Sequence, residues 1–145
     1  MKENLIISAC LLGIGCRYDG RRVEKIDISM LSERYNLIPI CPEIYGGLPT
    51  PRVPSERVGN RVVMKDGRDV TDAFIRGAEE AYRSATVNSA TKALLKAKSP
   101  SCGKGEIYDG SFTGSLTEGN GVAAEYLMER GITVYTEDEI EKLLE

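Results

Sequence analysis

Asn4-Leu5-Ile6-Ile7-Ser8-Ala9 is a continuous apolar run that leads straight into Cys10. A run this short with no polar alternation is the mark of a strand covered on both faces, as in a parallel sheet flanked by helices. Two further stretches repeat the pattern of a strand followed by a cysteine. Leu37 to Ile40 is stopped by Cys41-Pro42-Glu43, and Lys92 to Lys96 leads to Ser99-Pro100-Ser101-Cys102-Gly103. In a parallel α/β sheet the carboxyl ends of the strands share one edge, and ligands bind there. Cys10, Cys41 and Cys102 are therefore expected to converge.

Between the strands the pattern becomes helical. Asp27 to Arg34 reads as a short helix with Asp27 or Ser29 near its cap. A longer helix begins at Val70-Thr71-Asp72, carries Phe74, Ile75, Ala78, Ala81 and Tyr82 at helical spacing, and ends near Val87-Asn88. A third covers Gly121 to Arg130 with Gly131 as its C-cap. Ile132 to Tyr135 is the fourth strand, and Thr136-Glu137-Asp138-Glu139 is a capping-box start for a last helix. Residues 43–57 are rich in Gly and Pro, a stretch long for a structureless loop, and such loops are usually functional or mobile. Arg57 to Val70 reads as a hairpin with turns at Gly59-Asn60 and Asp66-Gly67. Ser99 to Gly121 reads as a Gly/Ser-rich connection. Strands alternating with helices predict a three-layer, Rossmann-like, doubly wound α/β sheet of about four parallel strands. The simplest order is 2-1-3-4, with a small β-hairpin insertion and a switch point between the first and third strands.

Composition narrows the function. A chain of 145 residues predicts a single domain over 1–145 with a proper core. Net charge is −3 with both signs interspersed, unlike the basic footprint of a nucleic-acid binder. No apolar run approaches the ~20 residues that span a bilayer, and the one before Cys10 is too brief for a secretory or lipoprotein signal. The expected location is the cytoplasm, where four cysteines point to metal binding or catalysis rather than disulfides. There is no histidine, which removes Ser-His-Asp and Cys-His triads, HExxH proteases and His/Cys/Cys deaminases. There is no tryptophan and there are only two phenylalanines, which argues against a purely aromatic stacking platform.

The cysteines admit several chemistries. A phosphatase nucleophile needs C-x5-R, and Arg17 falls one residue late after Cys10. A dithiol redox centre normally shows C-x-x-C, which is missing. Structural zinc favours paired short spacings, whereas these cysteines are scattered over strand ends. An iron–sulfur cluster accepts dispersed thiolates on a rigid fold. Ordinary buried cysteines are the plain alternative, weakened because three lie in Gly/Pro/Ser-rich strand-end loops. A nucleotide binder at the same crevice lacks the G-x-G-x-x-G signature.

Taken together, Ser8-Ala9-Cys10-Leu11-Leu12-Gly13, Cys16-Arg17-Tyr18-Asp19-Gly20, Cys41-Pro42-Glu43, Gly46-Gly47-Leu48-Pro49-Thr50-Pro51-Arg52, Gly67-Arg68-Asp69-Val70-Thr71 and Lys98-Ser99-Pro100-Ser101-Cys102-Gly103 resemble the thiouracil desulfidase family. The resemblance covers almost the whole chain. It implies a [4Fe–4S] enzyme that removes sulfur from a thiolated pyrimidine, of the 2- or 4-thiouracil type, to give the oxo base and sulfide. It also implies that Cys10, Cys41 and Cys102 hold the cluster and that the fourth iron binds the departing sulfur. Such a cluster is easily lost in air. The implied partner is a small thiobase or thionucleoside, with no long nucleic acid and no membrane, and with the protein a monomer or weak homodimer.

An open iron is a Lewis acid suited to a soft thiocarbonyl. The attacking water needs a base, and without histidine a carboxylate is the natural choice. From spacing alone Glu43 reads first as a solvated loop glutamate; the resemblance turns that balance toward catalysis. Ser101 either orients the water or the base, or simply forms the Ser-Pro-Ser turn. Cys16 is a less favoured fourth ligand, since a fourth thiolate would close the open iron. Arg17, Tyr18 and Asp19 shape the pocket floor or form a turn. Arg52 binds an anion or base carbonyl, or packs on the proline-rich loop. The rival class is a non-catalytic iron–sulfur or zinc module, a carrier or sensor. A carrier would expose its cluster, whereas an enzyme would bury it beneath a substrate pocket.

Overall fold

The structure is a computed structural model that describes residues 2–21 and 26–145. Strand β1 (Glu3–Ser8) continues into a 3-10 turn over Ala9–Leu12. Then come α1 (Ser29–Arg34), β2 (Tyr35–Ile40) and the single helical turn α2 (Pro42–Tyr45). The hairpin β3 (Ser55–Val58) and β4 (Arg61–Met64) precedes α3 (Thr71–Val87) and β5 (Lys92–Leu95). A second hairpin, β6 (Glu106–Tyr108) and β7 (Leu116–Glu118), is followed by α4 (Val122–Glu129), β8 (Thr133–Thr136) and α5 (Ile140–Leu143).

The main sheet runs β2-β1-β5-β8 and all three of its pairings are parallel. In chain order of the sheet strands this is the expected 2-1-3-4. Ser8 pairs with Ile40 and Ile7 with Leu94, so β1, β2 and β5 finish close together on one edge. Side chains that alternate along β1 divide the core in two. Ile6, with Ala93, Leu95 and Val134, meets Ala81 and Ala85 of α3 and Ala124 and Leu127 of α4. Leu5 and Ile7, with Leu94, meet Leu31 of α1 and Leu143 of α5. Helices thus cover both faces. No described helix is long and apolar enough to cross a membrane.

Two segments differ from the expectations. The 43–57 stretch is not loop throughout, because its start is the α2 turn. Pro42 at the first helical position supplies a ready-made φ, and Gly47 at φ +97 ends the turn. Only Gly lets α2 lie this close to α3: a Cβ on Gly77 would overlap the Pro42 carbonyl, and one on Gly46 the Ala73 carbonyl. The 99–121 connection contains the β6–β7 hairpin, whose strands are only 3 residues each and are hidden in a Gly/Ser background. The capping box at Thr136 is present, but it opens a 3-10 turn (Glu137–Glu139) that then passes into α5.

Candidate active site

The carboxyl edge of the sheet opens into a cavity of about 420 Å³ lined by all four cysteines together with Glu43, Ser101 and Arg52. Each arrives by a different element. Cys10 sits in the 3-10 turn that leaves β1, and Cys41 is the residue between β2 and α2. Cys102 follows β5 in a loop closed by the Cys102 N–H donating to Ser99 Oγ at 2.7 Å and the Gly103 N–H to the Ser99 carbonyl at 2.9 Å. That loop is wedged against the start of α4. The Ser101 carbonyl accepts from the Ala123 and Ala124 N–H groups, and a Cβ on Gly121 would stand 2.7 Å from Cys102 N.

Cys10, Cys16 and Cys102 are buried and Cys41 is half-buried. Burial, with the nearby Cys41 adding to it, pushes the Cys10 thiol up to about 11. Burial pushes Cys102 to about 12, although the Ser8 hydroxyl favours its thiolate. Cys41 goes the other way, down to about 7. The main cause is the pairing of its sulfur with the neighbouring Cys16 thiol; the Ile44 N–H at the start of α2 and the Arg52 charge act in the same sense against burial. Cys41 Sγ also lies 3.9 Å from the Cys16 carbonyl, and the thiol pairing and burial raise Cys16 well above an ordinary thiol. Cys16 is therefore not remote from the other three: it contacts Cys41 and lines the same cavity.

Glu43 is not a solvated loop residue. Its Oε1 accepts from Arg52 Nε and from an Arg52 terminal nitrogen, both at 3.1 Å, and its Oε2 accepts from Ser101 Oγ at 2.8 Å. Ser101 has one hydroxyl proton, and the short bond to Glu43 claims it over the Cys102 sulfur 3.6 Å away. Arg52 is neither a free anion receptor nor a surface residue, with a side chain only 3% exposed. It also donates to the Pro49, Thr50 Oγ1 and Cys16 acceptors, each at 3.0 Å. An arginine carries five N–H donors, and these contacts occupy all of them. Arg17 and Tyr18 line the cavity, whereas Asp19 closes a turn by accepting the Arg21 N–H at 2.9 Å.

The sequence reading passed over several cavity residues. Lys96 lines the cavity and pairs with Glu137 at 2.8 Å. Ser8 Oγ accepts the Lys96 N–H at 3.0 Å, tying β1 to the exit of β5. Tyr108 and Phe112 come from the β6–β7 hairpin, and the buried Glu56 comes from β3. A Gly/Ser background carries no periodic signal, so nothing in the sequence singles these out.

A family model described as 2-thiouracil desulfurase matches residues 5–139. The chain belongs to this family. Among its relatives, the uncharacterized protein YbbK of Bacillus subtilis (strain 168) is 36% identical, over 97% of this chain and 99% of YbbK. A solved structure, that of the [4Fe-4S]-dependent thiouracil desulfidase TudS, is 44% identical and superposes with a TM-score of 0.91. That match covers 98% of this chain and 95% of TudS. The cavity suits the group that TudS is named for. Thiols are the donors that iron–sulfur clusters prefer, and four of them line this one space with no imidazole to compete. Among the described residues, no three His, Cys, Asp or Glu side chains close on a single point as a lone ion requires.

Proposed function

We infer that this protein is a [4Fe–4S]-dependent desulfidase that converts a thiolated pyrimidine of the 2- or 4-thiouracil type, with water, into the oxo base and hydrogen sulfide. The observation that carries the reading is one cavity holding strand-end thiols beside a carboxylate fixed by an arginine and a serine. Cys10, Cys41 and Cys102 would hold the cluster. When bound, the cluster supplies an open iron, a Lewis acid toward a thiocarbonyl sulfur.

The remaining chemistry belongs to the side chains. The reaction is a substitution with no net redox change: a C–O bond forms from water, the C–S bond breaks, and the water's protons leave with the sulfide. Glu43 takes a proton from the attacking water at Oε2, the oxygen turned toward Ser101. Arg52 pins Oε1 through two bonds, so the carboxylate keeps its aim. Ser101 orients Oε2 and leaves it a free lone pair. Cys16 supports Cys41 as a hydrogen-bond donor rather than as a fourth ligand. The burial of Cys10 and Cys102 favours a sheltered cluster over the exposed one a carrier needs. The four free cysteines support a reducing, cytoplasmic setting. The size of the cavity, about 420 Å³, suits a small thiobase or thionucleoside, and the protein is proposed to act on it as a monomer or weak homodimer.

The test is anaerobic. Protein reconstituted with iron and sulfide is expected to hold about four irons per chain and to release sulfide from 2- or 4-thiouracil, followed through the change in the base's absorbance. Cluster-loaded protein that releases no sulfide from any thiobase or thionucleoside would return the carrier or sensor reading.

A further inference from the structure

Seven residues connect β6 to β7, from Asp109 to Ser115, and three of them are left-handed: Gly110 at φ +97, Phe112 at φ +58 and Gly114 at φ +81. At two of these positions the chain uses glycine, the residue that takes this conformation without strain. At the third it keeps a bulky aromatic, for which a positive φ is an outlier. Such strain persists only where the surroundings enforce it. Here the enforcing group is Glu56. Its carboxylate, on a residue only 9% exposed, accepts the Gly110 N–H at 2.8 Å and the Phe112 N–H at 3.1 Å. Core packing does not account for the ring. The other phenylalanine, Phe74, is 2% exposed inside the core, whereas Phe112 is half-buried and lines the cavity.

We propose that Phe112 is a specificity-determining residue that stacks its ring on the flat face of the thiobase, and that Glu56 is the positioning residue that holds it there. The proposal rests on the desulfidase reading and deepens it by assigning the recognition of a planar aromatic substrate. Base–aromatic stacking is tolerant of ring substitution because every base has a π-face. The contact thus selects thiobases and their nucleosides, which offer an aromatic ring face, over thiocarbonyls without a ring, such as thioamides of open-chain acids. It binds ground state and transition state alike, so it acts on KM rather than kcat.

The experiment uses the anaerobic, cluster-loaded enzyme with 2-thiouracil and 4-thiouracil. Phe112→Ala is expected to raise KM about tenfold or more while kcat stays within about twofold, and Phe112→Tyr to restore the wild-type KM. Glu56→Ala is expected to raise KM similarly, and Glu56→Ala combined with Phe112→Ala to be no worse than either alone, since both act through one ring. The chain contains no tryptophan and seven tyrosines, so Phe112→Trp supplies a single tryptophan that can be excited selectively. Its emission is expected to be quenched saturably by 2-thiouracil, in cluster-free protein as well. An unchanged KM in Phe112→Ala, or Trp emission indifferent to the thiobase, overturns the proposal while wild-type turnover leaves the desulfidase reading standing. Absence of turnover in loaded wild-type enzyme overturns both.

Discussion

Glu43 sits in a closed set of bonds: Arg52 on one oxygen, Ser101 on the other, and no histidine anywhere to share the work. A positioned base is commonly worth about 10²–10⁴-fold in rate. Glu43→Gln preserves shape and removes only the basic oxygen. It is expected to keep the cluster and the binding of thiouracil while turnover falls by roughly 10²-fold or more. Ser101→Ala, which removes only an orienting bond, is expected to lose less; full activity in Glu43→Gln would end the assignment. The cysteines divide by the same logic. Alanine at Cys10, Cys41 or Cys102 is expected to abolish cluster retention, read as iron and acid-labile sulfide per chain. Cys16→Ala is expected to retain the cluster, although Cys16 contacts Cys41. Loss of iron in Cys16→Ala, with retention in one of the others, would mean that the ligand set is misassigned.

Helix α2 delivers both Cys41 and Glu43 to the cavity, and it can do so only because α3 presents no side chain at Gly77. Two effects of Gly77→Ala compete. In a helix interior the substitution gains up to about 1 kcal/mol of propensity. The new Cβ, however, meets the Pro42 carbonyl, a backbone atom that cannot rotate aside, and overpacking costs about 1–3 kcal/mol. Packing is expected to win: the melting temperature falls and activity falls further, because α2 is displaced together with the carboxylate we propose as the base. Glu79→Ala, exposed on the same helix, serves as the neutral control. At the other end of the sheet, Glu139 accepts the Thr136 N–H and pairs with Lys104 and Lys142. Burial works to raise its pKa, but the Lys142 and Lys104 ammonium groups and the Thr136 N–H outweigh it and hold the carboxyl at about 2. An unfolded glutamate titrates near ~4.3, so the stabilisation is complete above that value and is lost as pH falls toward 2. Glu139→Ala is expected to lower the melting temperature by roughly 4 °C at pH 7, from a cap worth about 1 kcal/mol. The gap between variant and wild type closes between about pH 5 and 2. A gap that is constant with pH would show that the carboxylate charge plays no part.

For the molecule as a whole, a cluster held as proposed by residues 10, 41 and 102 would tie together the exits of β1, β2 and β5, adding to the sheet and to the Ser8–Lys96 and Ser101–Glu43 bonds. Binding to the folded state alone stabilises it, by about 2.7 kcal/mol at a hundredfold excess over Kd. Loading is therefore expected to raise the melting temperature by roughly 8 °C or more, and removal of iron by a chelator to reverse it; identical melting curves would place the metal away from the strand exits. The alternation of strands and helices is legible in the chain because it depends on periodicity and caps within about ten residues; the order of the four parallel strands and the shared edge of the three strand-end cysteines follow from it through the right-handed crossover rule. The apolar run at β1 and the Thr136 capping box are instances. What only the tertiary structure decides is which loop side chains meet. Arg52 closes on Glu43 from 9 residues away, Ser101 from 58, and Glu56 reaches Phe112 from 56. Such meetings leave no periodic trace, since they are set by where the strands end in space and by which glycines allow α2 and the Cys102 loop to approach their helices. The residue types that could do the chemistry are therefore visible in the linear chain, while the contacts that aim them exist only once the sheet has brought its carboxyl ends together.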